Sequence, residues 1–556
     1  MRFGTFLLVC ALAPAQTPQY DVIISGGRII DGTGNAWFYG DLAIRGDRIA
    51  RVTPQGGLGT AGAKQKIDAR GMVVSPGFID IQGQSRGALL QGDGRLISKI
   101  TQGITTEIMG EGGTNAPANE KTLRSEPDDA TRRMNARFNG PHGFRDWLDA
   151  MQQHGASPNF GSFVGATTLR MYGKGMAQGA PTAAELDEMR GALKRAMEDG
   201  AFGMASALIY PPGEYTTTNE LIELAKVMSP YGGVYITHMR SEADRLLEAI
   251  DEAIEIGRKG GVPVEIYHLK AAGTANWPKM AQAIAKIDQA RREGLDVGAD
   301  MYPYVAGGTG LTVCLPPWAS ADGKLFDNLK DPTVRAKIHA ESTAPARDWE
   351  NICQQATAEG VMITRLVKPE NHAYEGKRLS EIATAMHKDW ADAAMDLISS
   401  EHSRVETMFF IASEDNLKLQ LRQPWIKFGT DASGIDPATA RSLTHPRSYG
   451  NMTRVLGKYV REEKVIPLED AVRKMTSAVA NRLSIQDRGV LKEGMFADVV
   501  VFDPATVADR ATYEKPHQVS TGIKEVFVNG VAVVHNGDVT GAKPGRIVWG
   551  PGRVSN

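Results

Sequence analysis

Two histidines and one aspartate of this chain each end a short apolar run. His238, His268 and Asp431 close the runs 235–238, 266–268 and 427–431. Neutral imidazole nitrogen and carboxylate oxygen are ligand types that zinc accepts, and a catalytic zinc site leaves one position open for water. A single histidine at such a place is more often a hydrogen-bonded core residue. Two of them at equivalent strand ends, with an aspartate at a third, favour a metal-dependent catalytic site.

The runs that carry these residues belong to a repeating pattern. Helical stretches with apolar residues at three- and four-residue spacing, such as 186–197 and 246–256, alternate with short apolar strands. Eight alternating β/α units predict a TIM barrel, whose functional groups lie at the carboxyl ends of the strands. The alternative, an open doubly wound sheet, lacks a Gly-x-Gly-x-x-Gly segment after the first strand. The eight strand candidates are residues 78–81, 104–109, 160–164, 202–207, 234–237, 264–267, 295–299 and 426–429.

Both ends of the chain have a different texture. Residues 20–75 alternate apolar and polar side chains between glycine-rich turns, and residues 497–533 repeat the pattern around an Asn-Gly turn at 529–530. Period-two alternation indicates antiparallel strands, and Asn-Gly is a strong hairpin signal. We therefore expect residues 20–75 and 481–556 to build one small composite β-sandwich domain beside an α/β barrel of residues 76–480.

The connection between the seventh and eighth strand candidates is far longer than a normal loop. It covers about residues 305–425 and contains a ninth strand candidate at 408–411. The strand register in this part of the chain therefore stays open. A long insertion at the catalytic face usually acts as a lid or subdomain. We expect this segment to be such a lid or subdomain.

Composition excludes some classes of protein. The chain has 556 residues, which exceeds the usual size of a single hydrophobic core, so we expect two cores. With 42% hydrophobic residues, 23% charged residues and a formal net charge of -2, it has no global basic field to attract nucleic acid. The expected partner is a small-molecule substrate.

A targeting signal is predicted at the amino terminus. Residues 1–15 combine a cationic start, a short apolar stretch and the small-residue pattern Ala-Pro-Ala, whereas a membrane span needs roughly 20 apolar residues. The alternative is an ordinary N-terminal strand or helix. Cleavage would remove Cys10 and leave Cys314 and Cys353, which could pair in an oxidising compartment if the fold brings them together. We expect a secreted or periplasmic protein without stable membrane insertion after cleavage.

Eight segments in order resemble one known family, the D-aminoacylase (N-acyl-D-amino-acid deacylase) branch of the amidohydrolase superfamily, from about residue 20 to the end. They are Val-Ser-Pro-Gly-Phe-Ile-Asp (74–80), Gln-Gly-Ile-Thr-Thr (102–106), Tyr-Pro-Pro-Gly (210–213), His-Met-Arg-Ser-Glu (238–242), His-Leu-Lys (268–270), Asp-Met-Tyr-Pro-Tyr (300–304), Gly-Thr-Asp (429–431) and the glycine-rich return at 489–500. The order and number of these segments make the resemblance specific.

The resemblance implies a composite β-domain packed on a TIM barrel, and hydrolysis of the amide bond in N-acyl-D-amino acids or D-configured dipeptides. It implies that His238 and His268 bind the tightly held metal and that Asp431 is the general base. It also implies that Lys270, Tyr210 and Tyr302 contact the substrate, with Lys270 the natural partner of its free carboxylate.

The chain departs from the family pattern at the metal site. Gln82 and Gln84 stand where the family has His-x-His, and an amide oxygen is a much weaker zinc ligand than imidazole. We therefore expect one zinc ion, a weak or empty second position, and glutamines that are spectators or weak polar neighbours. The family's cysteine ligand is also missing, and Glu111, one position off a direct match, is our candidate third ligand. Glu107 competes with it but lies inside the second strand.

Two other functions stay open at this point. The chain could be a non-catalytic binding protein that lost its chemistry with the first-strand histidines, although Asp431 speaks against that. It could also hydrolyse cyclic amides or isoaspartyl peptides. The fourth strand candidate and its flanks, residues 201–209, contain no lysine for the carbamylated-lysine bridge of dihydroorotase and hydantoinase relatives, which disfavours this reading.

The N-terminal pattern yields a first prediction. We expect the mature protein to be exported and to begin near Gln16, because the small-residue site follows a short apolar core. Mass spectrometry of protein purified from its native host checks this, and an intact Met1 would contradict it.

Overall fold

The computed structural model describes residues 19–126, 128–345 and 349–554, so the expected signal segment lies outside the described residues. The strands are β1 Tyr20–Ile29, β2 Phe38–Arg45, β3 Arg48–Pro54, β4 Ala63–Asp68, β5 Val73–Pro76, β6 Phe78–Asp80, β7 Ile104–Met109, β8 Asn159–Ser162, β9 Val164–Gly165, β10 Gly203–Ala207, β11 Val234–His238, β12 Val264–Ile266, β13 Val297–Met301, β14 Ala306–Gly310, β15 Val361–Arg365, β16 Glu406–Phe410, β17 Ile426–Phe428, β18 Val499–Phe502, β19 Ile523–Val528, β20 Val531–His535 and β21 Asp538–Val539.

Helices connect most of these strands. The α-helices are α1 Arg86–Leu90, α2 Ile97–Ile100, α3 Glu120–Ser125, α4 Asp129–Asn135, α5 Gly143–His154, α6 Ala166–Gly173, α7 Ala183–Glu198, α8 Thr218–Met228, α9 Leu246–Gly260, α10 Lys279–Arg292, α11 Leu325–Lys330, α12 Pro332–Thr343, α13 Ile352–Ala356, α14 Leu379–Met386, α15 Trp390–Glu401, α16 Glu414–Leu421, α17 Arg447–Arg454, α18 Leu468–Met475 and α19 Ser477–Arg482. A π-helix, Val455–Glu462, follows α17, and short 3₁₀ turns occupy Ala136–Phe138, Gly213–Tyr215, Ser229–Tyr231, Leu311–Cys314, Pro317–Gly323, Ala358–Gly360 and Pro369–Tyr374. Over the described residues, no helix is long and apolar enough to cross a bilayer.

Strands from both ends of the chain form one nine-stranded sheet. Its order is β21-β20-β19-β18-β5-β1-β2-β3, and β4 pairs with β1. Asn529 and Gly530 make the turn between β19 and β20 with φ values of 49° and 79°. These left-handed values are what a tight type I′ turn requires, which explains the Asn-Gly pair. The two chain ends therefore share one sheet, as their common pattern predicts.

Strands at all eight predicted positions run parallel in two further sheets. Six strands lie in the order β17-β13-β12-β11-β10-β9, and three in the order β6-β7-β8. A parallel pair needs a crossover connection, and α7, α8, α9 and α10 supply the crossovers from β9 to β13. The carboxyl ends of these strands consequently lie on one side of the molecule, where functional side chains can meet.

Two of the parallel strands differ in detail from the sequence prediction. The third strand is interrupted at Phe163 and appears as β8 and β9. The N–H of Phe163 donates to the carbonyl of Met109 at 2.9 Å. The seventh begins at Val297, two residues later than predicted, because the chain turns after α10 at Gly294 with φ of 88°. Both strands end one or two residues later than predicted, and no predicted site residue lies in either of them.

The long connection between β13 and β17 has a sheet and a core of its own. The predicted ninth strand is β16, which lies between β14 and β15 in an antiparallel sheet rather than among the parallel strands. Its apolar side chains form a separate buried cluster with α15 that includes Leu311, Ile363 and Leu397. Cys314 and Cys353 form a disulfide bond within this segment, which answers the question of their pairing.

One buried ion pair ties α6 to the crossover helix α8. Arg170 of α6 donates from Nη1 to both carboxylate oxygens of Glu220 of α8, at 3.0 and 2.8 Å. Both side chains are 1% exposed. Burial raises the pKa of Glu220, and Arg170 opposes that rise. Removing one partner would leave an uncompensated charge in the interior.

We predict that Arg170→Met lowers the free energy of unfolding by about 3–5 kcal/mol, the usual cost of breaking a buried pair. Arg190→Met is the matched control, because Arg190 pairs with Glu223 at the surface with both side chains partly exposed, and exposed pairs contribute about 0–1 kcal/mol. Denaturant unfolding of both variants measures the difference. Equal losses in the two variants would contradict the assignment.

Candidate active site

The carboxyl ends of the parallel strands surround a cavity of about 930 Å³. Gln82 lies just behind its wall and is 1% exposed. The structure thus brings all of the predicted site residues to one place. Those that line the cavity are Gln84, Glu111, Tyr210, His238, His268, Lys270, Tyr302 and Asp431.

Three of these residues converge on one point. Glu111 Oε1 lies 3.2 Å from His238 Nδ1 and 3.1 Å from His268 Nε2, and the two nitrogens are 2.9 Å apart. A tetrahedral zinc ion with ligands at about 2.0–2.1 Å holds neighbouring ligand atoms roughly 3.3 Å apart. Two imidazole nitrogens and a carboxylate oxygen at these mutual distances match the spacing of zinc ligands. The three residues therefore fit one zinc ion and leave a fourth position open.

The backbone at His268 is held in an uncommon conformation. Its φ is 32°, a backbone angle that residues other than glycine rarely adopt. Asp300, buried at the end of β13, accepts a hydrogen bond from the His268 N–H at 2.8 Å, and its carbonyl accepts from the N–H of Leu269 at 2.9 Å. These bonds from the neighbouring strand keep the imidazole aimed at the convergence point.

Behind the histidines lies a second carboxylate. Glu242 Oε1 is 2.9 Å from His268 Nδ1 and 2.7 Å from Lys270 Nζ. Burial opposes ionisation of Glu242, but Lys270 and the two imidazoles hold its pKa far below its ordinary value. A carboxylate on the far nitrogen of a metal-binding histidine fixes its tautomer and raises its basicity. Glu242 is therefore placed to influence the tautomer and basicity of His268 as a metal ligand.

The two glutamines do more than the sequence suggests. Gln82 Nε2 and Gln84 Nε2 each donate to Glu111 Oε2 at 2.7 Å, and Gln84 Nε2 also lies 3.4 Å from Asp431 Oδ1. The expectation that they are spectators or weak polar neighbours stays a prediction, but its basis was incomplete. It considered only the amide oxygen as a ligand and overlooked the amide N–H as a donor to a carboxylate.

The competing ligand candidate, Glu107, is engaged elsewhere. Its carboxylate accepts from the N–H and hydroxyl of Ser85 at 2.9 and 2.8 Å and lies 3.4 Å from Lys99 Nζ. It is not among the three residues whose ligand atoms converge. The geometry therefore favours Glu111 over Glu107 as the third ligand.

Asp431 follows β17, which pairs with β13, and it lines the same cavity as the histidines. Its Oδ2 lies 2.9 Å from Arg447 Nη2, and its N–H donates to the carbonyl of Gln82 at 2.7 Å. Burial raises the pKa of Asp431, and Arg447 pulls it down only in part. A carboxylate with a raised pKa binds a proton more readily than an exposed one, which suits a general base.

The predicted substrate contacts lie around this centre. The Tyr210 hydroxyl donates to Thr309 Oγ1 at 3.0 Å, so it reaches the inserted segment. The Tyr302 ring lies 6.2 Å from the His268 ring, centroid to centroid. Lys270 Nζ and the guanidinium carbon of Arg447 lie 5.7 and 4.5 Å from the Tyr302 ring. Tyr302 thus stands between two cations on the cavity wall.

Comparison with known proteins agrees with this geometry. The model of the amidohydrolase family matches residues 65–534. A D-aminoacylase of Alcaligenes xylosoxydans xylosoxydans is 34% identical over 538 residues, which cover 97% of this chain and 99% of that protein. The chain belongs to the amidohydrolase family, in its D-aminoacylase branch.

Two solved structures extend the likeness to the fold. One, of D-aminoacylase, concerns the role of its binuclear metal centre, with one-metal activation and second-metal attenuation; it has 33% identity and a TM-score of 0.79 over 95% of this chain and 99% of that chain. The other, N-acyl-D-glutamate deacylase from Bordetella bronchiseptica with zinc and a phosphonate mimic of the tetrahedral intermediate, has 32% identity and a TM-score of 0.77 over 95% and 99%. This amidohydrolase therefore has the TIM-barrel type of fold that the sequence predicts.

Sequence reasoning missed two residues of this amidohydrolase site. Glu242 lies four residues after His238, inside a segment that resembled the family, but nothing in its spacing says that it reaches His268. Arg447 begins α17, far from any strand end, so strand-end reasoning could not find it. Its Nε and Nη1 atoms are buried and have no hydrogen-bond partner within the described residues, which is the signal that marks it.

We predict that Glu242→Gln weakens zinc binding by this amidohydrolase about 10–100-fold, the usual effect of losing a carboxylate behind a histidine ligand. Titration of the metal-free protein against a chromophoric chelator measures the affinity. Glu248→Gln, on the first turn of α9 outside the cavity, is the control. An unchanged affinity in Glu242→Gln would show that Glu242 serves Lys270 alone.

Proposed function

We propose that this chain hydrolyses the amide bond of N-acyl-D-amino acids at a site with one zinc ion, held by Glu111, His238 and His268. The observation that carries the proposal is the convergence of these three ligand atoms beside the carboxylate of Asp431. Bound zinc supplies a water of lowered pKa, toward roughly 7, and polarises the scissile carbonyl. The named activities of the similar deacylases support the choice of substrate.

The protein's own groups move the protons. Asp431 takes a proton from the attacking water and later gives it to the leaving amine, so a single carboxylate serves both halves of the reaction. Arg447, 2.9 Å away, holds one oxygen of Asp431 in place and leaves the other facing the cavity. Glu242 keeps the His268 proton on the side away from the zinc position.

Lys270, Tyr302 and Arg447 together suit the free carboxylate of the substrate. Lys270 already pairs with Glu242, so its charge is shared. Arg447 pairs with Asp431 through Nη2, but its buried Nε and Nη1 have no partner in the described part of the chain, and each can donate a charge-assisted hydrogen bond to a carboxylate. We therefore assign Arg447 the larger share of carboxylate binding, with Lys270 and Tyr302 beside it.

We further propose that the two parallel sheets are arcs of one closed barrel. Two contacts across the gaps support closure. Gly83 and Ala432 form an isolated parallel bridge that joins the ends of β6 and β17, and the N–H of Phe202 donates to Ser162 at 3.1 Å between β8 and β10.

The nine-stranded sheet is proposed to fold into the expected sandwich. Val22 of β1 and Leu42 of β2 share one buried cluster with Val499 of β18, as residues on two facing layers would. We keep the proposed domains at residues 20–75 and 481–556 for the sandwich, 76–480 for the barrel and about 305–425 for the inserted lid or subdomain.

We also propose that the protein is exported to a secreted or periplasmic location. The disulfide between Cys314 and Cys353 supports this, because such bonds persist in oxidising compartments and are rare in the cytosol of most organisms.

We predict that His238→Ala or His268→Ala removes the zinc, whereas Asp431→Asn keeps it and loses turnover. General-base catalysis contributes about 10²–10⁴-fold, so the Asn variant should lose at least that much activity on an N-acetyl-D-amino acid. Metal analysis and deacylation rates of purified variants, with N-acetyl-L-amino acids as the stereochemical control, measure both effects.

Asp436→Asn is the matched control, because Asp436 pairs with Arg95 and does not line the cavity. A loss below about tenfold in Asp431→Asn would remove it as general base. Zinc-loaded wild type that hydrolyses no N-acyl-D-amino acid would favour a lapsed, binding-only protein instead.

A further inference from the structure

The two oxygens of Glu111 face different kinds of group. Oε1 faces the nitrogens of His238 and His268 at 3.2 and 3.1 Å. Oε2 accepts from the amide nitrogens of Gln82 and Gln84, both at 2.7 Å. A free carboxylate rotates about its last torsion with little preference. The two amide donors remove that freedom and leave Oε1 as the oxygen that meets a metal.

The Gln84 amide also lies between two carboxylates that could hold a second cation. Such an ion would bridge Glu111 and Asp431, the two cavity carboxylates nearest the first strand. Gln84 Nε2 already lies between them, 2.7 Å from Glu111 Oε2 and 3.4 Å from Asp431 Oδ1. An N–H donor carries the positive end of a dipole to both oxygens, so it satisfies them without an ion.

The backbone of the first strand end is fixed from both sides. The N–H of Gln84 donates to Ala432 at 3.0 Å, and the carbonyl of Gln82 accepts from Asp431 at 2.7 Å. Between them, Gly83 lies against the side chain of Glu107, and a Cβ at Gly83 would come within 2.0 Å of its Cγ. The glutamines therefore cannot shift without disturbing both neighbouring strands.

We propose that Gln82 and Gln84 are positioning residues: their amide groups orient Glu111 toward a single zinc ion and occupy the place of a second one. The proposal rests on the zinc site of the proposed function, but not on the reaction. On this proposal the chain binds one zinc ion because the side chains at the first strand end donate hydrogen bonds to Glu111. They do not offer lone pairs to a second metal.

Zinc affinity of the metal-free protein tests the orienting role. Gln82→Met and Gln84→Met keep the side-chain length and remove the donor, so each should weaken zinc binding about 10–100-fold, as losses behind a metal ligand do. Competition with a chromophoric chelator measures the affinity. Gln91→Met is the control, because Gln91 follows α1, is exposed and lies outside the cavity. The melting temperature of each metal-free variant separates loss of orientation from loss of fold.

Zinc stoichiometry tests the exclusion of a second ion. The wild type should bind one zinc per chain and remain at one in excess zinc. Gln82→His with Gln84→His replaces donors by imidazole ligands and should move the count toward two. This variant retains polar side chains, so it also serves if the methionine variants fail to fold.

Three results would overturn the proposal. They are a wild type that binds two zinc ions of similar affinity, methionine variants with wild-type affinity and stability, and a double histidine variant that still binds one zinc. None of these measurements uses turnover. A wild type that binds one zinc through these contacts but hydrolyses no N-acyl-D-amino acid would end the proposed function and leave the role of the glutamines intact.

Discussion

The buried carboxylate of Asp80 ties the end of the first parallel strand to the end of the last. Its Oδ1 accepts from the N–H of Gln82 at 3.1 Å and of Thr430 at 2.9 Å. Its Oδ2 accepts from Lys99 Nζ and the Thr430 hydroxyl, both at 2.6 Å. Gln82 and Asp431 thereby receive their positions from one group, although 349 residues separate them in the chain. Loss of this carboxylate would release both sides of the zinc position together.

The other carboxylates around the site each contact a lysine or arginine, whereas Glu111 forms no such ion pair within the described residues. Among the described residues, Lys99 lies between Asp80 and Glu107, Lys270 meets Glu242, and Arg447 meets Asp431. Glu111 instead has two imidazoles and two neutral amides around it. A buried carboxylate without a permanent cation is costly, and that cost is offset when a metal binds. The uneven balance thus makes the Glu111 position the one that gains most from zinc.

The sequence was informative where function follows strand ends. His238, His268 and Asp431 close apolar runs, and the strands beneath them lie within a few residues of their predicted positions. Glu111 came from its place after the second strand. The sequence did not show that Glu242 and the glutamines contact other site residues, and it did not point to Arg447 at all. Side chains from distant segments meet only in the folded chain. From the sequence, only the amide oxygens of Gln82 and Gln84 were considered, as metal ligands. In the structure their amide nitrogens donate hydrogen bonds to Glu111.

Small residues at the third and fourth strand ends make room for the loop that carries Glu111. A Cβ at Gly165 would come within 2.4 Å of the Gly112 carbonyl, and one at Gly112 within 2.9 Å of the Ala207 Cβ. The loop therefore rests directly on the ends of β9 and β10. A larger side chain at either strand end, such as the bridging lysine considered for the fourth strand, would displace the loop. The small residues at the ends of β9 and β10 and the position of Glu111 are therefore linked, because the loop that carries Glu111 packs directly on those strand ends.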